Sequence, residues 1–190
     1  MIVLYQGHRG CGKTTTLIKD GYALKRCGWT VVTNMTSVSY ADRVLDESEI
    51  LNLLNTDLND FVIMLDEIQT FIDSRRGMRG KNVTFTYFIQ QIRKRNVIIL
   101  AATQYTRRVD IAFREHVDVL CKPKFYPEYP VIVAQYVDLT KLSESGIDSE
   151  TVVFRDVVYD PRQVYDLFDT TEIILPGEAV SSQEKVIKKK

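Results

Sequence analysis

Apolar residues fall in two registers along this chain. Four short runs read as strands: Ile2–Gln6, residues 29–34, Phe61–Leu65 and residues 97–104. The third and fourth are almost continuously apolar, as expected of strands buried on both faces. Between them the spacing becomes helical. Leu17, Ile18, Tyr22 and Leu24 form a stripe across residues 14–27 that ends near Gly28. Asp46-Glu47-Ser48 is a suitable start for a helix over residues 50–54, and Phe85, Phe88, Ile89 and Ile92 mark another that ends in Arg93-Lys94-Arg95. A short helix is expected around Val109, Ile111 and Phe113. Beyond residue 117 the pattern changes. Three strand-like runs, 117–125, 131–139 and 151–159, are joined by segments of Pro, Glu, Ser and Gly, which favours antiparallel strands extending a parallel sheet. Pro161 is placed to start a last helix, to about residue 168. From Pro176 the chain turns polar and ends Lys-Val-Ile-Lys-Lys-Lys. The expectation is one α/β domain over residues 1–175 and a disordered basic tail over 176–190.

Composition narrows the class. At 190 residues, with 45% hydrophobic and 26% charged content, the chain is an ordinary globular one with a real core. No apolar run approaches the roughly 18 residues that span a bilayer. A strand beginning at residue 2 leaves no room for a signal peptide, so the expected compartment is the cytoplasm of the host cell, with no membrane partner. Cys11, Cys27 and Cys121 are scattered, which argues against a disulfide framework or a zinc site. Lys and Arg total 25, as do Asp and Glu, so any affinity for nucleic acid must come from a local patch.

The chemistry begins where the first strand ends. Gly7-His8-Arg9-Gly10-Cys11-Gly12-Lys13-Thr14 is G-x-x-x-x-G-K-T, a phosphate-binding P-loop in its required context of strand, loop and helix. The backbone N–H groups of this loop, continued to Thr15, converge on phosphate, and the helix N-terminus adds positive partial charge. Lys13 reaches the β- and γ-phosphates, the Thr14 hydroxyl coordinates Mg²⁺, and Cys11 reads as a small filler rather than a nucleophile. About fifty residues on, the strand Phe61–Leu65 runs into Asp66-Glu67. This is the Walker B arrangement, in which Asp66 supports Mg²⁺ and Glu67 polarises the attacking water. The two carboxylates also suit a helix start. Gln104, at the tip of the fourth strand, would lie beside the first and third strand ends in a parallel sheet. There it would hold the lytic water or sense the γ-phosphate; a capping amide is the plainer alternative.

Residues 74–95 carry seven cations, Arg75, Arg76, Arg79, Lys81, Arg93, Lys94 and Arg95, and no Asp or Glu. The Arg-Lys-Arg end is explained equally well by the helix dipole. The loop around Gly77 and Gly80 is a candidate nucleic-acid contact through Arg75, Arg76, Arg79 and Lys81.

Together, the P-loop, Asp66-Glu67-Ile68-Gln69, Gln91-Ile92-Arg93-Lys94-Arg95 and Ala102-Thr103-Gln104 resemble the HerA/FtsK superfamily of DNA-pumping ATPases, particularly the genome-packaging ATPases of icosahedral DNA viruses. The match covers roughly residues 1–120. It implies a P-loop NTPase three-layer sandwich of the RecA/FtsK-like, ASCE type, a mainly parallel sheet extended here by antiparallel strands. It also implies ATP as substrate, Mg²⁺ as cofactor, a homo-oligomeric ring, and double-stranded DNA gripped without sequence preference. A viral capsid or portal vertex is the implied assembly partner. By spacing to the Thr-Gln, Arg93 matches the arginine that acts in trans on a neighbour's nucleotide, with Arg95 in reserve. Two other resemblances compete. Zonula-occludens-toxin-like assembly ATPases of filamentous phages are close, although they usually carry a membrane-spanning segment. Type II thymidine kinases share the D-E-x-Q sequence but normally carry a four-cysteine zinc site.

Overall fold

The computed structural model describes residues 1–46, 60–70, 95–140 and 153–171, together with 49, 52, 53 and 89. Their strands are β1 (Ile2–Gln6), β2 (Thr30–Thr33), β3 (Arg43–Val44), β4 (Phe61–Leu65), β5 (Val97–Thr103), β6 (Val119–Tyr126), β7 (Val131–Asp138) and β8 (Val153–Tyr159). All eight join one sheet in the order β3-β2-β4-β5-β1-β6-β7-β8. The strands from β3 to β6 are parallel, and β7 and β8 are antiparallel, as the change of pattern after residue 117 predicts.

Alternation along the central strands makes two cores. Ile2, Leu4, Ile63, Leu65, Ile99 and Ala101 point to one face, where Leu53, Ile89, Val109 and Phe113 cover them. Phe113 belongs to the short helix α2 (Ile111–Arg114). Val3, Tyr5, Val62, Met64, Leu100 and Ala102 point to the other face, against Leu17 and Ile18 of helix α1 (Lys13–Arg26) and against Val164 and Phe168. This is the α/β P-loop NTPase fold, with β5 hydrogen-bonded between β1 and β4: Ile99 pairs with both Ile2 and Ile63. The tips of β4, β5 and β1 therefore lie abreast, and the P-loop leaves from that edge.

The structure departs from the sequence expectations in several places. The buried side of α1 is Lys13, Thr16, Leu17, Ile18 and Gly21, whereas Tyr22 is exposed and meets Tyr40 in a tilted ring contact, centroids 5.2 Å apart and planes at 59°. The physical reason is close approach. A Cβ on Gly21 would run into the Met64 sulfur and the Tyr40 hydroxyl, so the helix lies too near the sheet there for a side chain. Strand β3 falls in what reads as a linker; with only Val32↔Arg43 and Thr33↔Val44 as pairs, it is too short to show alternation. The last helix expected from Pro161 is present, as a 3₁₀ helix over Pro161–Leu167 started by Asp160, whose side chain accepts from the Arg162 N–H at 2.9 Å. Asp46 does open a turn: its carboxylate accepts from Glu49 N–H at 2.8 Å, and Glu49 accepts from Asp46 N–H at 2.9 Å, a reciprocal capping box. Most of the helix expected over 85–95, and the tail at 176–190, lie outside the described residues. Among the described residues, no helix is long and apolar enough to cross a membrane.

One polar cluster ties α1 to the strands on either side of β6. The Asp20 carboxylate accepts from Tyr5 of β1 at 2.7 Å and from Tyr136 of β7 at 2.6 Å, and pairs with Lys19 at 3.0 Å. Burial and the Asp20 charge push both phenols well above their ordinary pKa. They therefore stay protonated and donate. Because Tyr5 is fully buried, Asp20→Ala strands its hydroxyl and is expected to cost about 1–3 kcal/mol in urea unfolding. Adding Tyr5→Phe to that variant removes the stranded group. Recovery of part of the loss is expected; an additive further loss would show that the pairing is not what stabilises the protein.

Candidate active site

Residues 7–12 join β1 to α1, and the backbone there adopts conformations that side chains resist. Gly10 and Gly12 have φ of 74° and 95°, and a Cβ on Gly12 would stand 2.5 Å from the Ile132 side chain. The loop thus packs directly against β7, and α1, whose first N–H groups have no partners within the helix, begins at its end. Lys13 is buried, and its ammonium donates to the His8 carbonyl at 2.9 Å, spanning the loop and leaving two protons for phosphate oxygens. Arg9, Gly10, Gly12, Lys13, Thr14 and Thr15 line a cavity of about 870 Å³. Gly7, His8 and Cys11 serve the loop itself: the Cys11 sulfur fills the space 2.6 Å from where a Gly7 Cβ would sit.

The structure brings Asp66, Glu67 and Gln104 to this loop. The Thr14 hydroxyl donates to Asp66 Oδ2 at 2.8 Å. The Asn34 side chain brackets Asp66 from the neighbouring strand end, donating to its carbonyl at 2.9 Å and accepting from its N–H at 3.0 Å. Burial pushes the Asp66 carboxyl above its ordinary pKa; the Thr14 hydroxyl holds it down and the Glu67 charge pushes it up again. A buried carboxylate in that condition gains from a nearby cation. Thr14 Oγ1 and Asp66 Oδ2 supply two oxygen donors, and among the described residues no group of three or more His, Cys, Asp or Glu stands ready to cage a metal. That set fits Mg²⁺, which keeps most of its shell as water and phosphate oxygen.

Glu67 occupies the left-handed region, with φ 51°, a conformation unusual outside glycine and one that costs energy. Three bonds hold it there. Its N–H donates to Asp66 Oδ1 at 2.9 Å, Gln104 Nε2 donates to its Oε1 at 2.8 Å, and Gln69 Nε2 donates to its Oε2. Gln69 is itself fixed by the Thr103 hydroxyl at 2.7 Å. The carboxylate is thus gripped by an amide at each oxygen, and each oxygen retains a lone pair for a water proton. Gln104 stands where the strand-tip reading expected it, beside Glu67 and on the cavity wall. Asn34 had no signal in the sequence, and Gln69 and Thr103 are visible there only as parts of motifs. Arg75, Arg76, Arg79, Lys81 and Arg93 lie outside the described residues.

Glu67→Gln is expected to keep nucleotide affinity and lose turnover by about 10²–10⁴-fold, whereas Lys13→Ala weakens binding itself. Phosphate release alongside titration of bound nucleotide separates the two. Turnover by Glu67→Gln at the wild-type rate would remove Glu67 as the base.

Many solved structures are similar to this fold, among them the following three. The N-terminal domain of zonular occludens toxin from Neisseria meningitidis aligns at TM-score 0.60 and 16% identity, over 88% of this chain and 98% of that one. B204, the DNA-packaging ATPase from Sulfolobus Turreted Icosahedral Virus, aligns at TM-score 0.56 and 11% identity, over 84% and 97%. The genome packaging NTPase B204 from Sulfolobus turreted icosahedral virus 2, in complex with AMPPCP, aligns at TM-score 0.55 and 14% identity, over 84% and 97%. At such identities the likeness is one of fold. No curated protein matches this chain in sequence. The model of the ATPase family associated with various cellular activities (AAA) matches residues 3–122, from β1 into β6, so that it spans the P-loop, Asp66, Glu67 and Gln104. The chain belongs to the AAA family of ATPases.

Proposed function

We propose that this protein is an Mg²⁺-dependent ATP hydrolase that moves double-stranded DNA without sequence preference, in packaging a viral genome. The observation that carries the hydrolase reading is the clamped Glu67 carboxylate, set beside Gln104 on the wall of the P-loop cavity. The loop amides and Lys13 hold the phosphates. Thr14 and Asp66 hold Mg²⁺, which when bound offsets the charge on the phosphate oxygens. Glu67 takes a proton from the attacking water while the Gln104 amide, already bonded to Glu67 Oε1, orients that water toward the γ-phosphorus.

The motor reading rests on less local features. Arg75, Arg76, Arg79 and Lys81 form a glycine-containing basic segment in a chain of zero formal charge, suited to grip and release phosphates. Arg93 is the proposed finger acting in trans on a neighbouring subunit, with Arg95 the alternative, which makes a ring the working unit. The likeness to a DNA-packaging ATPase supports the same reading. A second reading, an assembly ATPase of the zonula-occludens-toxin type, is favoured by the likeness to that toxin's N-terminal domain.

Long duplex DNA is expected to stimulate ATP hydrolysis, and the stimulation to fall steeply as salt rises. The Arg75/Arg76/Arg79 triple alanine variant should lose the stimulation and keep the basal rate. Indifference to every DNA tested would remove the motor and leave the hydrolase; phosphate transfer to thymidine would replace both with a kinase. Arg93→Ala is expected to bind ATP and hydrolyse it slowly, and mixing it with Lys13→Ala should restore turnover. With assembly confirmed, no recovery in the mixture would sink the trans finger.

A further inference from the structure

The cavity extends well beyond the phosphate site, and its two ends differ in chemistry. On one flank of the P-loop stand the tips of β4 and β5, with Asp66, Glu67 and Gln104. Hydrolysis requires the terminal phosphate at that end. A nucleotide held by Lys13 and Thr14 must therefore run its nucleoside toward the other flank, where β6 and β7 meet the loop. There Phe125 and Ile132 are paired across the two strands, and Ile132 is the side chain packed against Gly12. Beyond them the chain returns from β8 through the 3₁₀ turn Pro161–Leu167 and adds Tyr165, Phe168 and Asp169 to the same cavity.

These residues make a wall unlike the phosphate end. Ile132 and Phe168 are buried and fixed at 2% and 8% exposure, Phe125 is half-buried, and Tyr165 is 45% exposed. Fixed apolar side chains beside an accessible ring offer a flat base a stacking partner at little ordering cost. Asp169 sits at the edge of this wall. Its Oδ1 accepts from Thr171 twice, from the N–H at 2.8 Å and the hydroxyl at 2.7 Å, which fixes the carboxylate and keeps the Oδ2 lone pairs for a donor. At 870 Å³ the cavity lies within the roughly 300–1,000 Å³ typical of small-molecule sites, ample for a whole nucleotide.

We propose that Phe125, Ile132, Tyr165 and Phe168 form the nucleobase subsite, which takes a purine on the Tyr165 ring and reads an amino group on its edge through Asp169. This deepens the hydrolase reading above and rests on it. The subsite lies outside the P-loop and carboxylate motifs, so affinity for the base is separable from affinity for phosphate.

Binding of ATP, UTP and inorganic tripolyphosphate to the full chain, each with Mg²⁺, tests this by calorimetry. The wild type is expected to bind ATP about tenfold or more tighter than tripolyphosphate, with UTP between them. Tyr165→Ala should erase most of the ATP advantage while leaving tripolyphosphate affinity as it was, and Asp169→Ala should bring ATP toward UTP. Tyr165 and Asp169 are exposed, so both variants are expected to fold, and circular dichroism checks that they do. Equal wild-type affinity for ATP and tripolyphosphate would overturn the base subsite and leave the P-loop reading intact. An ATP advantage untouched in both variants would overturn it equally. Binding of none of the three would remove the hydrolase reading itself, and the subsite with it.

Discussion

The hydrogen bond from Thr14 to the half-buried Asp66 joins two points 52 residues apart, and the site depends on it. Thr14 belongs to the first turn of α1 and Asp66 follows β4, with β5 lying between β1 and β4 in the sheet. The bond is possible only because parallel pairing brings the strand tips to a common edge. Asn34 makes the placement firm by occupying both backbone hydrogen-bonding groups of Asp66. The Asp66 side chain is thus left to accept from the Thr14 hydroxyl and the Glu67 N–H, and its backbone cannot shift without breaking two bonds.

Helix α1 transmits that order to the rest of the molecule. Its first turn carries Lys13 and Thr14, while its later turns are tied down by Asp20 and by the close approach at Gly21. Tyr159 of β8 adds a bond to Thr16 at 2.9 Å, and Tyr40 donates to the Ile18 carbonyl at 2.7 Å. Partners from β1, β7, β8 and the segment after β2 therefore converge on one helix. The antiparallel strands serve the site as well as the core, because β7 presses Ile132 against the loop and β8 leads into the turn that bears Tyr165 and Phe168.

Glu67 shows a cost accepted for chemistry. A left-handed backbone at a non-glycine residue is unfavourable by itself, and amides from Gln69 and Gln104 hold its carboxylate at the cavity wall. The Thr103–Gln69–Glu67–Gln104 chain links β5 to the turn after β4, so the orientation of the Glu67 carboxylate is a property of two strands rather than of one residue.

Whatever depends on neighbours along the chain can be read before any fold is known. The P-loop is legible because eight consecutive residues make it. Asp66 and Glu67 are legible because an apolar strand ends in them, and the antiparallel extension because turn-rich segments separate three strand-like runs. Gln104 is legible from its place at a strand tip once a parallel sheet is assumed. Features that depend on approach between distant segments emerge only once the chain is folded. Gly21 looks like a helix-weakening residue until Met64 and Tyr40 stand against it, and Tyr22 looks like core until the helix is rotated by that contact. Asn34 is one more polar residue until β2 pairs with β4, and Tyr165, Phe168 and Asp169 have no motif that announces a binding wall. Hydrogen bonds and packing between residues tens or a hundred positions apart leave no periodic trace in either segment, because each half of such a contact is an ordinary residue until the fold supplies the other.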